Sequence, residues 1–389
     1  QQGLDGASQS EVLSGYCTLL VDLGVPLLRV HVTHQAFHPS YGGIGFDWER
    51  ASGTSFDRYA RTANPPDVWL RSPLLHMLAS QQYEFRERLT GTSTFPILND
   101  LHARGVTDYY ARALLFEKRD GDLPIDLDAS PHGALLSWSC DGPDGFAPEH
   151  LALIDFSLPS LGLALKSAAN RDMARDLLGV YLGRDAGHRV LSGEIQRGSL
   201  QTLNAAVCYF DLVGFTGLAE EIGGPAVIEM LNAYLDVAVD VVESADGHVL
   251  KFMGDGFLAM FDVGDDRADA EVALDSAQRL SERIDSLNQA RTAAGLPCTG
   301  FTLAVHNGEI LYGNIGGENR LDFTVIGPTV NLAARISDMH KSIGQKILIT
   351  EPVRLAAHPD RTDLVSVGRY MLRGVPMPME LFTLYALKA

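Results

Sequence analysis

The chain has 389 residues, 46% of them hydrophobic and 21% charged, the profile of a folded globular protein with room for two domains. Its 31 Lys and Arg against 49 Asp and Glu leave a net charge of −18, which argues against wrapping nucleic acid or coating an anionic membrane as the main role. A substrate anion must therefore be met by local cations or metals.

Cys17, Cys140, Cys208 and Cys298 are widely separated and form no CxxC or Cys/His zinc spacing, so the expected compartment is a reducing cytoplasm. No apolar run approaches the roughly 20 residues that cross a bilayer, and the expectation is no membrane span. The start at Gln1 shows no signal-peptide pattern and, lacking Met, leaves room for a preceding segment.

Residues 1–178 read as a first domain with strands at 27–32, 111–116 and 134–139. His31, His34 and His38 invite a metal or haem reading, but on a strand His31 and His34 point to opposite faces, and Cys17 reads as an ordinary buried thiol. Pro39 to Gly43 reads as a loop. An apolar helical stripe over 148–165 continues through 171–182 into a Gly-punctuated connector, 179–203.

A second domain is expected over 204–389. The apolar run 205–210 ends on Asp211 and reads as a buried strand. Val227, Met230, Leu231, Tyr234, Leu235, Ala238, Val241 and Val242 fall on one helical face. The segment 248–261 then reads as a β-hairpin with Asp255 at its tip, followed by a helix with Ala273, Ala277, Leu280, Ile284 and Leu287 on one stripe. Two strands, 301–305 and 310–312, are expected around a turn at His306-Asn307-Gly308, and a strand at 323–326 leads into a helix over 329–340. The order β, α, β, β, α, β predicts an α+β sandwich with one face of an antiparallel sheet covered by helices. If the hairpin pairs beside the first strand, Asp211 and Asp255 reach one sheet edge, and paired carboxylates with few other ligands suit Mg²⁺ or Mn²⁺.

Phe210-Asp211-Leu212-Val213-Gly214-Phe215-Thr216, Lys251-Phe252-Met253-Gly254-Asp255-Gly256 and Thr324-Val325-Ile326-Gly327-Pro328-Thr329-Val330-Asn331-Leu332-Ala333-Ala334-Arg335 together resemble the catalytic domain of class III adenylyl and guanylyl cyclases, over residues 203–387. The resemblance implies a ferredoxin-like βαββαβ core and a head-to-tail homodimer whose two active sites are each shared between protomers. It places two Mg²⁺ or Mn²⁺ per site on Asp211 and Asp255, with Leu212 in the same set. Lys251 and Thr324 would read the purine. Lys donates to adenine N1 and a Thr hydroxyl accepts from the exocyclic amine, whereas guanylyl cyclases of the family usually carry Glu and Cys, so ATP is the expected substrate. An unpaired polar group costs about 1–3 kcal/mol, so this pair supplies roughly 10- to 100-fold preference.

By the same resemblance Asn331 orients the ribose, Arg335 stabilises charge on the α-phosphate, and Arg373 meets the triphosphate, with Arg320 a further phosphate candidate. The turn at Gly214, Phe215 and Thr216 would present backbone N–H groups to phosphate oxygens. No side chain is assigned as general base. A guanylyl or unselective cyclase and a catalytically silent sensing module are the competing readings. The motif Gly145-Phe146-Ala147-Pro148-Glu149-His150 before a long helix resembles the end of a GAF-type sensory domain, which implies an α/β sensor for an unknown small molecule or chromophore regulating the cyclase.

Overall fold

A computed structural model of the chain describes residues 1–62, 66–116 and 133–385. Residues 386–389, which close the expected second domain, lie outside the described residues. The chain divides into two compact units, Gln1–Leu177 and Leu178–Ala389.

The first unit runs α1 (Gln9–Asp22), β1 (Leu27–Gln35), β2 (Tyr41–Glu49), β3 (Gly53–Ala60), α2 (Asp67–Leu70), α3 (Pro73–Ala79), β4 (Glu84–Arg88), α4 (Pro96–Ala103), β5 (Asp108–Leu115), β6 (Gly133–Cys140) and α5 (Pro148–Leu182). Its six strands form one antiparallel sheet in the order β3-β2-β1-β6-β5-β4. Alternation along β5 sends Tyr110 to one face, where α1 and α5 pack with Trp138, and Tyr109 and Ala111 to the other, against α3 and α4. A capping box starts α1: Ser8 N–H donates to the Glu11 carboxylate at 2.7 Å, and Glu11 N–H donates back to Ser8 Oγ at 3.3 Å. The strands expected at 27–32, 111–116 and 134–139 are present as β1, β5 and β6, whereas the loop expected at Pro39 to Gly43 becomes the start of β2. Glycines 42, 43 and 45 hid that strand. Gly45 leaves the space that the Tyr59 ring of β3 fills.

By length and composition alone, α5 contains a window long and apolar enough to cross a bilayer, where no such run was expected. Ile154, Leu158, Leu161 and Leu165 of that helix lie in the core beside α1, and Asp155 accepts from Tyr110 at 2.9 Å. One third of that window is buried inside the protein. The GAF-type likeness gains no support beyond a mixed α/β architecture.

The second unit runs α6 (Arg184–Leu191), β7 (Leu200–Leu212), α7 (Phe215–Ile222), α8 (Gly224–Glu243), β8 (His248–Met253), β9 (Gly256–Phe261), α9 (Asp266–Ala293), β10 (Phe301–Gly317), β11 (Arg320–Ile326), α10 (Pro328–Ser337), α11 (His340–Ile343), β12 (Ile347–Thr350), α12 (Glu351–Ala356), β13 (Leu364–Tyr370) and β14 (Met379–Leu384). The sheet order is β13-β14-β12-β10-β7-β9-β8, with β11 paired to the far half of β10. Two expectations are corrected. His306-Asn307-Gly308 is no turn but the middle of one 17-residue strand, because each of the three pairs with β7, opposite Val207, Ala206 and Ala205. The sheet is mixed rather than antiparallel, since β10 and β12 run parallel, and helices lie on both faces. α8, α9 and α12 cover the face of Cys208 and Phe210, while α6 and α10 cover that of Val207. The helix expected over 329–340 ends at Ser337, with α11 a separate turn.

Candidate active site

The end of β7 is built as a fixed platform. Phe210 stacks between Phe257 and Phe301 at centroid distances of 4.8 and 5.8 Å, Val213 N–H donates to Gly300 O at 3.0 Å, and Thr299 Oγ1 donates to Val213 O at 2.6 Å. Phe210 pairs with Phe257 across β7 and β9, which sets Asp211 against Gly256, with Asp255 one residue further on in the turn. The hairpin β8–β9 closes with Met253 opposite Gly256, so only Gly254 and Asp255 form its tip. Gly254 has φ +67°, a conformation that glycine adopts without strain. The paired carboxylates expected from the sequence are therefore brought to one edge.

Burial and the neighbouring Asp255 charge push the Asp211 carboxyl up to about 6, against the lowering effects of the Leu212 N–H and the Lys341 ammonium. Two acids held this way fit a divalent cation, which would relieve their repulsion, and the oxygen-only donor set suits Mg²⁺ or Mn²⁺. Among the described residues no cluster of three or more His, Cys, Asp or Glu side chains could hold a metal. Leu212 has a buried side chain, so only its backbone carbonyl can add to the pair. Gly214, with φ +65°, leads directly into α7, whose first residues Phe215 and Thr216 carry backbone N–H groups with no partner inside the helix. Phe215 packs on the core and Thr216 is exposed.

Lys251 and Thr324 stand at a second place. Leu250 of β8 lies in the same core cluster as Phe323 and Val325 of β11, so alternation turns Asp322 and Thr324 to the opposite face of β11. Lys251 Nζ lies 2.5 Å from Asp322 Oδ2. Sequence reading missed Asp322, although its spacing of two from Thr324 on a strand places both on one face.

Arg335 belongs to a third group. α10 buries Ala333 and Ile336, leaves Asn331 exposed and sets Arg335 half-buried. A Cβ added at Gly374 would lie 3.1 Å from Arg335 Nη1, which puts the guanidinium against the loop that carries Arg373. Arg320, Arg335, Lys341 and Arg373 form no ion pair among the described residues, in a chain of net charge −18. Unpaired cations of this kind are available to an anion.

The histidine trio of the first unit does not converge. His31 Nδ1 lies 3.2 Å from Asp47, His34 bonds Gln9 at 2.6 Å, and His38 stacks on Tyr41 at 4.1 Å. Cys17 is fully buried and its thiol is pushed far up by burial, as an inert core residue requires. A groove of about 490 Å³ runs along α8 between Asp236, Asp240 and Phe252, and no candidate site residue lines it.

Residues 199–387 match the family described as the adenylate and guanylate cyclase catalytic domain. The chain is 32% identical over 163 residues to an adenylate cyclase of Anabaena cylindrica, covering 41% of this chain and 32% of that protein. It is 29% identical over 224 residues to adenylate cyclase 1 of Rhizobium meliloti, covering 56% of this chain and 33% of that protein. It thus spans about a third of the length of these curated relatives. A bacterial light-regulated adenylyl cyclase structure is similar in fold, with a TM-score of 0.50 at 12% identity, covering 78% of this chain and 93% of that one.

Proposed function

We propose that this chain, whose residues 199–387 form a class III nucleotidyl cyclase catalytic domain, is an adenylyl cyclase converting ATP to 3′,5′-cyclic AMP and pyrophosphate. What supports the choice of ATP is the pair of residue types, Lys251 on β8 as a donor for adenine N1 and Thr324 on β11 as an acceptor for its 6-amino group, with Lys251 ion-paired to Asp322 two residues before Thr324. In the reaction the ribose 3′-oxygen bonds to the α-phosphorus in line, the bond from that phosphorus to the pyrophosphate oxygen breaks, and the 3′-hydroxyl proton passes to water or to the substrate's own phosphate oxygens.

Asp211, Asp255 and the Leu212 carbonyl would hold two Mg²⁺ or Mn²⁺, which supply Lewis-acid neutralisation of the phosphates and a lowered hydroxyl pKa. Asn331 orients the ribose. Arg335 offers its planar, always-charged fork to the negative charge growing on the α-phosphate, and Arg373 holds the departing pyrophosphate. Backbone N–H groups at Phe215 and Thr216 meet phosphate oxygens. Most of the rate comes from positioning and charge stabilisation.

The active assembly is a homodimer with two shared centres. The class III cyclase likeness of residues 199–387 supports a centre completed by Arg335 and Arg373 of a second copy. The first unit acts as a sensor that regulates this pairing. Four free thiols support a reducing compartment, the cytoplasm.

Purified protein with Mn²⁺ should form cyclic AMP from ATP and at least tenfold less cyclic GMP from GTP. Absence of cyclic AMP would remove the proposal.

A further inference from the structure

The turn after Asp211 has little of its own to hold it. α7 has no fully buried residue and rests on the core through the part-buried Phe215, Leu218 and Ile222. The direction of its first N–H groups therefore depends on Val213, the residue before Gly214. Val213 is gripped on both sides. Its N–H donates to Gly300 O at 3.0 Å, and its carbonyl accepts from Thr299 Oγ1 at 2.6 Å, closer than the same hydroxyl's 3.2 Å approach to Gly300 O. Thr299 is held in turn by a closed ring of bonds. Its N–H donates to Tyr234 Oη at 2.9 Å, the Tyr234 hydroxyl donates to Asn288 Oδ1, and Asn288 Nδ2 donates back to Thr299 O at 2.9 Å. Tyr234 is fully buried and Thr299 is 7% exposed, so water is poorly placed to replace these bonds. The ring joins α8, α9 and the segment before β10, and it uses both backbone groups of Thr299. Only the hydroxyl is left to reach the end of β7.

We propose that Thr299 is a positioning residue for the triphosphate: through the Val213 carbonyl it sets the direction of the Gly214-Phe215-Thr216 turn, and Tyr234 and Asn288 hold it in place. The inference rests on the nucleotidyl cyclase reading and deepens it. A hydrogen bond weakens steeply once its donor angle falls below about 120°, so a turn that swings away from the phosphates loses them even if α7 stays helical. Thr suits the task. Its hydroxyl supplies the donor, while its branched side chain restricts χ1 and so aims that donor. Val keeps the shape and loses the donor, whereas Ser keeps the donor and loses the branch. Because the contacts that Thr299 governs are to phosphates, its effect falls alike on ATP, GTP and pyrophosphate. The purine is read elsewhere.

The test uses the full chain with Mn²⁺, both nucleotides and pyrophosphate as product inhibitor. Thr299→Val should raise KM for the preferred nucleotide and Ki for pyrophosphate together, each roughly tenfold, with the ATP-to-GTP ratio unchanged. Thr299→Ser should return both constants to within about threefold of wild type. Tyr234→Phe keeps the Thr299 hydroxyl but loosens its support, and should raise both roughly threefold. The double change Thr299→Val with Tyr234→Phe should be no worse than Thr299→Val alone, since both act through one bond. A merely structural role predicts instead a lower thermal midpoint and a lower kcat, with KM and Ki untouched. If wild-type protein turns over nucleotide but Thr299→Val leaves KM and Ki within about twofold, or shifts them without recovery in Thr299→Ser, the positioning role is overturned alone. Should Thr299→Val unfold at the assay temperature, Tyr234→Phe decides: a joint rise in KM and Ki supports the role, and unchanged constants overturn it. Wild-type protein that turns over neither nucleotide overturns both readings.

Discussion

Gly256 lies against Asp211 so closely that a Cβ there would stand 2.8 Å from Asp211 Oδ1 and 2.1 Å from Phe210 O. The contact is with backbone on a buried strand, which cannot swing aside. Gly256→Ala should therefore push the β8–β9 turn away from β7, cost about 1–3 kcal/mol in denaturant unfolding and reduce cyclase turnover more than tenfold. Turnover and stability at wild-type levels would show that the two carboxylates do not depend on this approach.

Asp211→Asn and Asp255→Asn should each lower turnover at least 100-fold without lowering the thermal midpoint. Asp211 is raised to about 6 from an unfolded value near 3.8, so above that range its ionised form is disfavoured by folding. Removing either charge relieves the strain, and the midpoint at pH 8 should stay level or rise. Mixing an Asp211→Asn chain with an Asn331→Ala chain should recover up to a quarter of wild-type turnover if centres are shared between copies.

His306 gives the second unit a predictable response to acid. Its Nδ1 lies 2.9 Å from Thr350 Oγ1 in the buried interior, and burial holds its pKa down at about 4. Above the unfolded pKa of about 6.5 both states are neutral and the stability is fully present. As pH falls from there toward 4, only the unfolded chain takes up the proton, so stability drops by up to ~3 kcal/mol. His306→Gln should flatten that slope in urea titrations between pH 7 and pH 4.5. An unchanged slope would assign the acid sensitivity to another group.

In the first unit Asp108 is fully buried, accepting from Arg86 Nη2 at 2.6 Å and from Phe146 N–H at 3.0 Å. Arg86→Ala leaves that carboxylate without its cation and should destabilise the unit by about 3 kcal/mol, read by urea unfolding followed through Trp48 and Trp138 fluorescence. A loss under 1 kcal/mol would mean that water reaches Asp108 once the guanidinium is gone.

The sequence by itself determined the catalytic motifs and the elements that carry them. Asp211 at the end of an apolar run, Asp255 at a two-residue hairpin tip and the stripe of α8 are written in local periodicity, because strand alternation, turn chemistry and helical spacing act over a few residues. The same locality explains the misses. Whether His306 to Gly308 turn or run straight depends on β7, nearly a hundred residues earlier, which supplies their pairing partners. The glycines of β2 have no signature of a strand until Tyr59 fills the space above them.

Tertiary structure alone decided which charges meet. It spent Lys251 on Asp322, 71 positions away, left Arg335 beside the loop of Arg373, and sent His31, His34 and His38 to three different partners. The chain could announce its carboxylates and cations as residue types, but an ion pair is a matter of distance, and distance across a sheet is set only when the strands find their register and the core beneath them closes.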